Sequence, residues 1–144
     1  MRPLLIAVCA WLVAGMLPAA AQESVVQLKE RAFAARKAEQ PKLFLEVAER
    51  QLQAADNAFS QGQTEAGKAA TEDVADACEK AGAAATGARK HLKSTEMEIR
   101  ALARKLDAMR HTLSFEDQGP LAAAIERMEQ VRNDLLSAMF GPKW

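Results

Sequence analysis

Tyrosine is absent from this 144-residue sequence, and the other aromatics are few, five Phe and two Trp. Trp11 lies in an apolar N-terminal run and Trp144 is the last residue. A core built from this chain must rely on aliphatic side chains and alanine. No one sign of charge dominates, since 19 Lys and Arg balance 19 Asp and Glu. That excludes the basic footprint of a nucleic-acid binder. The two histidines, His91 and His111, lack the spacings of known sites. Ala88 and Ala108 stand three residues before them, where a di-iron carboxylate bundle needs glutamates. C-x-x-C-H haem attachment, a G-x-S-x-G nucleophile turn and a Gly-rich phosphate loop are also missing. No stretch shows the two-residue alternation of a strand.

What is present begins with an address. Met1-Arg2-Pro3 is a short basic start, Leu4 to Leu17 is an uncharged apolar run, and Pro18-Ala19-Ala20-Ala21 supplies small residues before Gln22. This is the three-part pattern of a secretory signal peptide at 1–21, cut between Ala21 and Gln22. The run is shorter than the roughly 20 residues that span a bilayer. Cys9 sits too early for lipidation. The expected mature chain, 22–144, is a single all-helical domain in the periplasm or beyond. Losing Arg2 leaves 18 basic against 19 acidic residues, a net charge of about −1. It also leaves Cys78 alone, so no intramolecular disulfide can form. Cys78 lies among alanines and reads as a small packing residue. No later segment is apolar enough to span a membrane, so no membrane partner is expected after cleavage.

Four helices are expected. Ser24 and Gln27 have capping-box spacing, which opens a helix over 24–39. Pro41 lacks an N–H and fits only a first turn, so a second helix spans 41–61 and ends at Gly62. The next stripe runs Ala70, Val74, Ala77, Ala81, Ala85, Ala88, Leu92, Thr95, Ile99, Leu102, Leu106, Met109 and Leu113 in steps of three or four. It keeps phase across Gly82 and Gly87. We therefore expect one helix over 64–112, roughly 70 Å long at about 1.5 Å per residue, with 82–87 as the place for a kink. A last helix spans 120–140. Glu46–Arg50, Asp76–Lys80 and Glu96–Arg100 read as exposed i, i+4 pairs.

Short connections then predict an elongated antiparallel bundle of hairpins around the long helix. Its first half is poorly supplied, because Val74 is the only large apolar residue between Phe59 and Leu92. Its second half has more than a two-helix hairpin can bury: Ile99, Leu102, Leu106, Met109 and Leu113 facing Leu121, Ile125, Met128, Leu135 and Met139. These ten residues form the expected interaction surface. A third partner is implied, which is the first helix, a second copy or another exported protein.

The hairpin Leu52–Ala77, with Phe59, Gly62 and Ala66, resembles a tetratricopeptide repeat. Its register departs by one residue after Phe59, and no second copy follows at a period of about 34 residues. The plan is also similar in outline to periplasmic holdase chaperones and small stress-response bundles, without the basic balance of the first or the L-T-x-x-Q motif of the second.

The weak chemical candidates are Asp107 and His111, which share a helix face and make half a metal site. A haem held by His111 and Met128 needs a pocket that nothing else marks. Met97, Met109, Met128 and Met139 suit Cu(I) but also suit a packed seam. Cys78 and His91 are too far apart along one helix to act together. No cofactor is assigned. The expectation is a secreted, non-catalytic interaction, scaffold or self-association module. A periplasmic metal- or haem-binding sensor bundle and a holdase-type chaperone are the alternatives.

Overall fold

The computed structural model describes residues 23–141. The leader at 1–21, the Ala21–Gln22 cut and the Pro142–Trp144 tail lie outside them. The described residues form α1 (Val25–Ala34), α2 (Gln40–Ser60), α3 (Thr64–Ala88), α4 (Leu92–His111), a short 3-10 turn (Phe115–Asp117) and α5 (Gln118–Phe140). No strand occurs among them. None of these helices is long and apolar enough to cross a membrane.

Local chemistry explains most of the helix ends. Ser24 and Gln27 close the capping box that starts α1. That helix stops at Ala34, short of the expected residue 39. Pro41 must sit in the first turn of α2, so residues 35–39 are needed to reverse the chain. Gly62 takes φ +74° after α2. The Gln63 N–H donates to the Ala58 carbonyl and the Gly62 N–H to the Phe59 carbonyl, which is a Schellman closure.

The helix expected over 64–112 is two helices. The first is continuous through Gly82 and Gly87 and ends at Ala88. The terminating device is a second Schellman closure: Arg89 N–H to Thr86 carbonyl and Lys90 N–H to Ala85 carbonyl. Here the left-handed position is filled by Arg89, φ 51°, and His91 follows at φ 60°. A side chain in this conformation costs roughly 1–2 kcal/mol, which is why glycine usually marks the position. The apolar stripe does not register the break, because both helices face the same core.

The reversal turns the expected elongated arrangement into a compact four-helix bundle. Gln51 bonds Asp73 and Glu96 bonds Arg132, so α2 runs antiparallel to α3 and α4 to α5. Lys105 pairs with Glu49, and further along Met109 and Thr112 lie by Leu52 and Asp56, so α2 and α4 run parallel. Lys68 reaches Asp117 and Arg127 reaches Asp76 and Glu79, so α3 and α5 are parallel too. Around the bundle the order is α2, α3, α5, α4, with only thin contact between α3 and α4. Helix α1 lies on α2 and α3. Phe33 packs edge-on against Phe44, centroids 5.2 Å apart, beneath the Lys80 ammonium.

Small residues meet large ones across the core. Helix α3 buries Ala75, Ala77, Cys78, Ala81, Gly82 and Ala85. Opposite stand Ile99, Leu106, Leu121, Met128 and Leu135, all fully buried. Gly82 is the tightest point, since a Cβ there would lie 2.3 Å from Cγ1 of Val131. Around Gly87 nothing lies within 4 Å. Gly82→Ala is therefore expected to lower stability by about 1–3 kcal/mol through overpacking, despite its gain in helix propensity. Gly87→Ala is expected to raise it by about 0.5–1 kcal/mol. Urea unfolding of the two variants checks both signs.

Candidate functional site

The bundle places the ten expected interaction residues mostly inside. Ile99, Leu102, Leu106, Met109, Leu121, Met128 and Leu135 are buried, and Leu113, Ile125 and Met139 are half-buried. The surplus apolar surface inferred for the hairpin is covered by α3 and α2 of the same chain. The correction has one cause, the reversal at Arg89–His91.

Asp107 and His111 do share a face of α4, but their polar atoms are engaged. The Asp107 carboxylate accepts from Arg110 at 2.7 and 3.0 Å, and His111 Nδ1 lies 2.7 Å from the Asp107 carbonyl oxygen. Nδ1 is 3.9 Å from the carboxylate itself. Among the described residues no group of three or more His, Cys, Asp or Glu is placed to hold a metal ion. Cys78 is buried in α3, and burial pushes its thiol up to about 12, with the Glu79 charge adding to the effect. His91 is exposed at the chain reversal, so the two do not meet. Met109 and Met128 are core residues, Met139 is half-buried and Met97 is exposed.

Of the three ion pairs expected on exposed faces, Glu96–Arg100 forms as spaced, but it is not on the surface. Glu96 is 2% exposed and joins α4 to α5. Its carboxylate accepts from Arg100 at 2.8 Å and from Arg132 at 3.0 Å, and Arg132 also holds Glu129. Burial alone would raise the Glu96 carboxyl, but the two guanidinium groups outweigh it and hold it below its usual value. A depressed carboxyl stabilises the fold above its unfolded pKa, and that stabilisation is lost as the pH falls through the folded value. The sequence places Glu96 next to Thr95 of the stripe, but Arg132 is too distant along the chain to be foreseen. Asp76 pairs with Arg127 instead of Lys80, and Glu46 with Arg31 instead of Arg50.

The two ends of the bundle differ in charge. One end gathers the α1–α2 connection, the α3–α4 reversal and the first turns of α2 and α4. It carries Arg36, Lys37, Lys42, Arg89, Lys90 and Lys93, all exposed. None of these six has a carboxylate partner among the described residues, where Glu39, Glu98 and Asp134 are the nearby acids. A groove of about 780 Å³ opens here, between Ala34, Ala35, Ala38 and Pro41 on one side and His91, Ser94 and Thr95 on the other. Phe140 stands exposed at the same end. The opposite end holds Asp56, Glu65, Asp107, Glu116 and Asp117 against Lys68 and Arg110. There Phe115 is 89% exposed. Sequence reading missed this polarity because residues far apart in the chain meet only when the bundle closes.

The described residues thus define an all-helical bundle with a basic end and an acidic end. Comparison with protein-family models, with curated proteins and with solved structures finds no match.

Glu96→Gln is expected to destabilise the fold by about 3 kcal/mol, the scale for breaking a buried pair. Acidification below about pH 4 should cost the parent stability and cost the variant less. Unfolding midpoints across a pH series read both.

Proposed function

We propose that this chain is an exported, non-catalytic helical protein whose work is to bind another macromolecule, as an interaction, scaffold or self-association module. The observation that carries the reading is the basic end, where six exposed cations without ion-pair partners gather on the end that holds a groove; Lys42 lines that groove with Glu39, Glu46 and Glu98 beside its alanine and leucine wall. Unpaired charge gathered on one face steers and selects partners more than it stabilises a fold. Here it stands on rigid elements, the turns and first turns of a packed bundle. Export rests on the leader pattern at 1–21, with Ala21 and Gln22 flanking the cut.

This reading moves the docking surface. The Ile99–Met139 set supplies the core, and the ends supply the contacts. The sensor alternative loses support because the Asp107 carboxylate and His111 Nδ1 already have partners. The holdase alternative needs an exposed apolar face, and the broad one inferred from the sequence is interior.

The test is photo-crosslinking in cells from a reactive group placed at Ala38 in the groove. The expected result is a discrete adduct that disappears in Arg36→Glu/Lys37→Glu/Lys90→Glu, with the thermal midpoint unchanged. No adduct, or one that ignores the charge reversal, contradicts the reading. Intact mass of the exported chain should correspond to a start at Gln22. Recovery only as the uncut chain from Met1 would contradict cleavage.

A further inference from the structure

The two ends are opposite in charge, and one carries a groove while the other carries an exposed ring. At the acidic end, Ser114-Phe115-Glu116-Asp117 presents an aromatic ring with two carboxylates directly after it. The ring touches no core cluster and is 89% exposed. The 3-10 turn that carries it is braced, since the Ser114 hydroxyl donates to Asp117 at 2.8 Å and Lys68 holds Asp117 from α3. At the basic end, the groove has apolar walls from Ala34, Ala35, Ala38, Pro41, Leu43 and Leu45. Its volume of about 780 Å³ falls within the range of small-ligand pockets, roughly 300–1,000 Å³.

The charges in and around the groove favour an acidic visitor. Arg31 is shared between Glu23 at 2.9 Å and Glu46 at 3.7 Å. The lining carries Glu39, Glu46 and Glu98 with Arg31 and Lys42. The rim adds Arg36, Lys37, Arg89, Lys90 and Lys93. The six cations without ion-pair partners outnumber the carboxylates Glu39, Glu46, Glu98 and Asp134 at this end, so Glu116, with Asp117 beside it on Lys68, would meet an opposite field on approach.

We propose that the chain binds a second copy of itself head to tail, with Phe115 of one copy seated in the groove of the next and Glu116 and Asp117 facing its cationic rim. The proposal rests on the interaction reading above and names its partner. Both halves of the contact belong to every copy, and they lie at opposite ends. The contact is therefore heterologous: it leaves a free knob and a free groove on each growing assembly. Such a contact propagates into a filament or closes into a ring, and it does not stop at a dimer. An end-on contact is small, below about 1,200 Å², so weak and reversible association is expected.

Sedimentation of purified protein across a concentration series tests this. At low salt the average mass should climb past the dimer as concentration rises. At about 1 M salt, where the screening length is about 3 Å, it should fall back to the monomer. Phe115→Asp and, separately, Lys42→Glu/Lys93→Glu should each be monomeric, with far-UV dichroism and melting unchanged because all three positions are exposed. Phe115→Ala should weaken association at least tenfold. Mixing the two broken variants should give a dimer and nothing larger, because one supplies only a groove and the other only a knob. Monomers under all conditions, association that ignores Phe115, or a mixture that stays monomeric would overturn the proposal. A monomer that still forms the charge-dependent adduct from Ala38 would overturn self-association alone and leave the broader interaction reading standing.

Discussion

The close approach of Val131 to Gly82 sets how near α3 and α5 can lie, and the bundle is arranged around that thinness. Helix α3 contributes Ala, Gly and Cys where its neighbours contribute Leu, Ile and Met. A helix so lined cannot fill a core by itself. It can bring two larger helices together at short range, where dispersion contacts are dense. For that to happen within one chain, α4 must turn back. The two left-handed residues of the reversal are the local cost, and the burial of Ile99, Leu102 and Leu106 offsets it. Glu96 then joins α4 to α5 through Arg132, so the second hairpin is held by charge as well as by packing.

Helix type, the α1 capping box, the Gly62 ending and the apolar stripe over 70–113 were legible in the sequence. The fold-back was not, and Arg89 and His91 show why. Glycine is the usual sign of a left-handed residue, and the nearest glycine, Gly87, sits two positions too early and remains helical. An unbroken three-and-four stripe is equally consistent with one long helix and with two helices whose connection preserves phase. Mistaking the second for the first turned core residues such as Leu106 and Met128 into an imagined surface. The Glu96–Arg132 pair and the basic end were hidden for a related reason. Each depends on residues brought together by topology, and spacing along a single helix carries no trace of them.

Once the apolar residues are assigned to the core, the ends carry the exposed features on which the proposed interaction role rests. These are cations without ion-pair partners, a groove of alanine, leucine and charged side chains, and at the far end an exposed ring among carboxylates. The helices keep these features about a bundle length apart and rigidly oriented. Such an arrangement suits contacts made along the bundle axis.

The bundle depends on the chain reversing at Arg89–His91, and one distance tests that directly. Spin labels at Glu65 and His111 sit near the start of α3 and the end of α4. Pulsed dipolar spectroscopy should place them about 10–20 Å apart, one or two helix spacings. A continuous helix over the same residues would separate them by roughly 70 Å at about 1.5 Å per residue, and that value would contradict the fold.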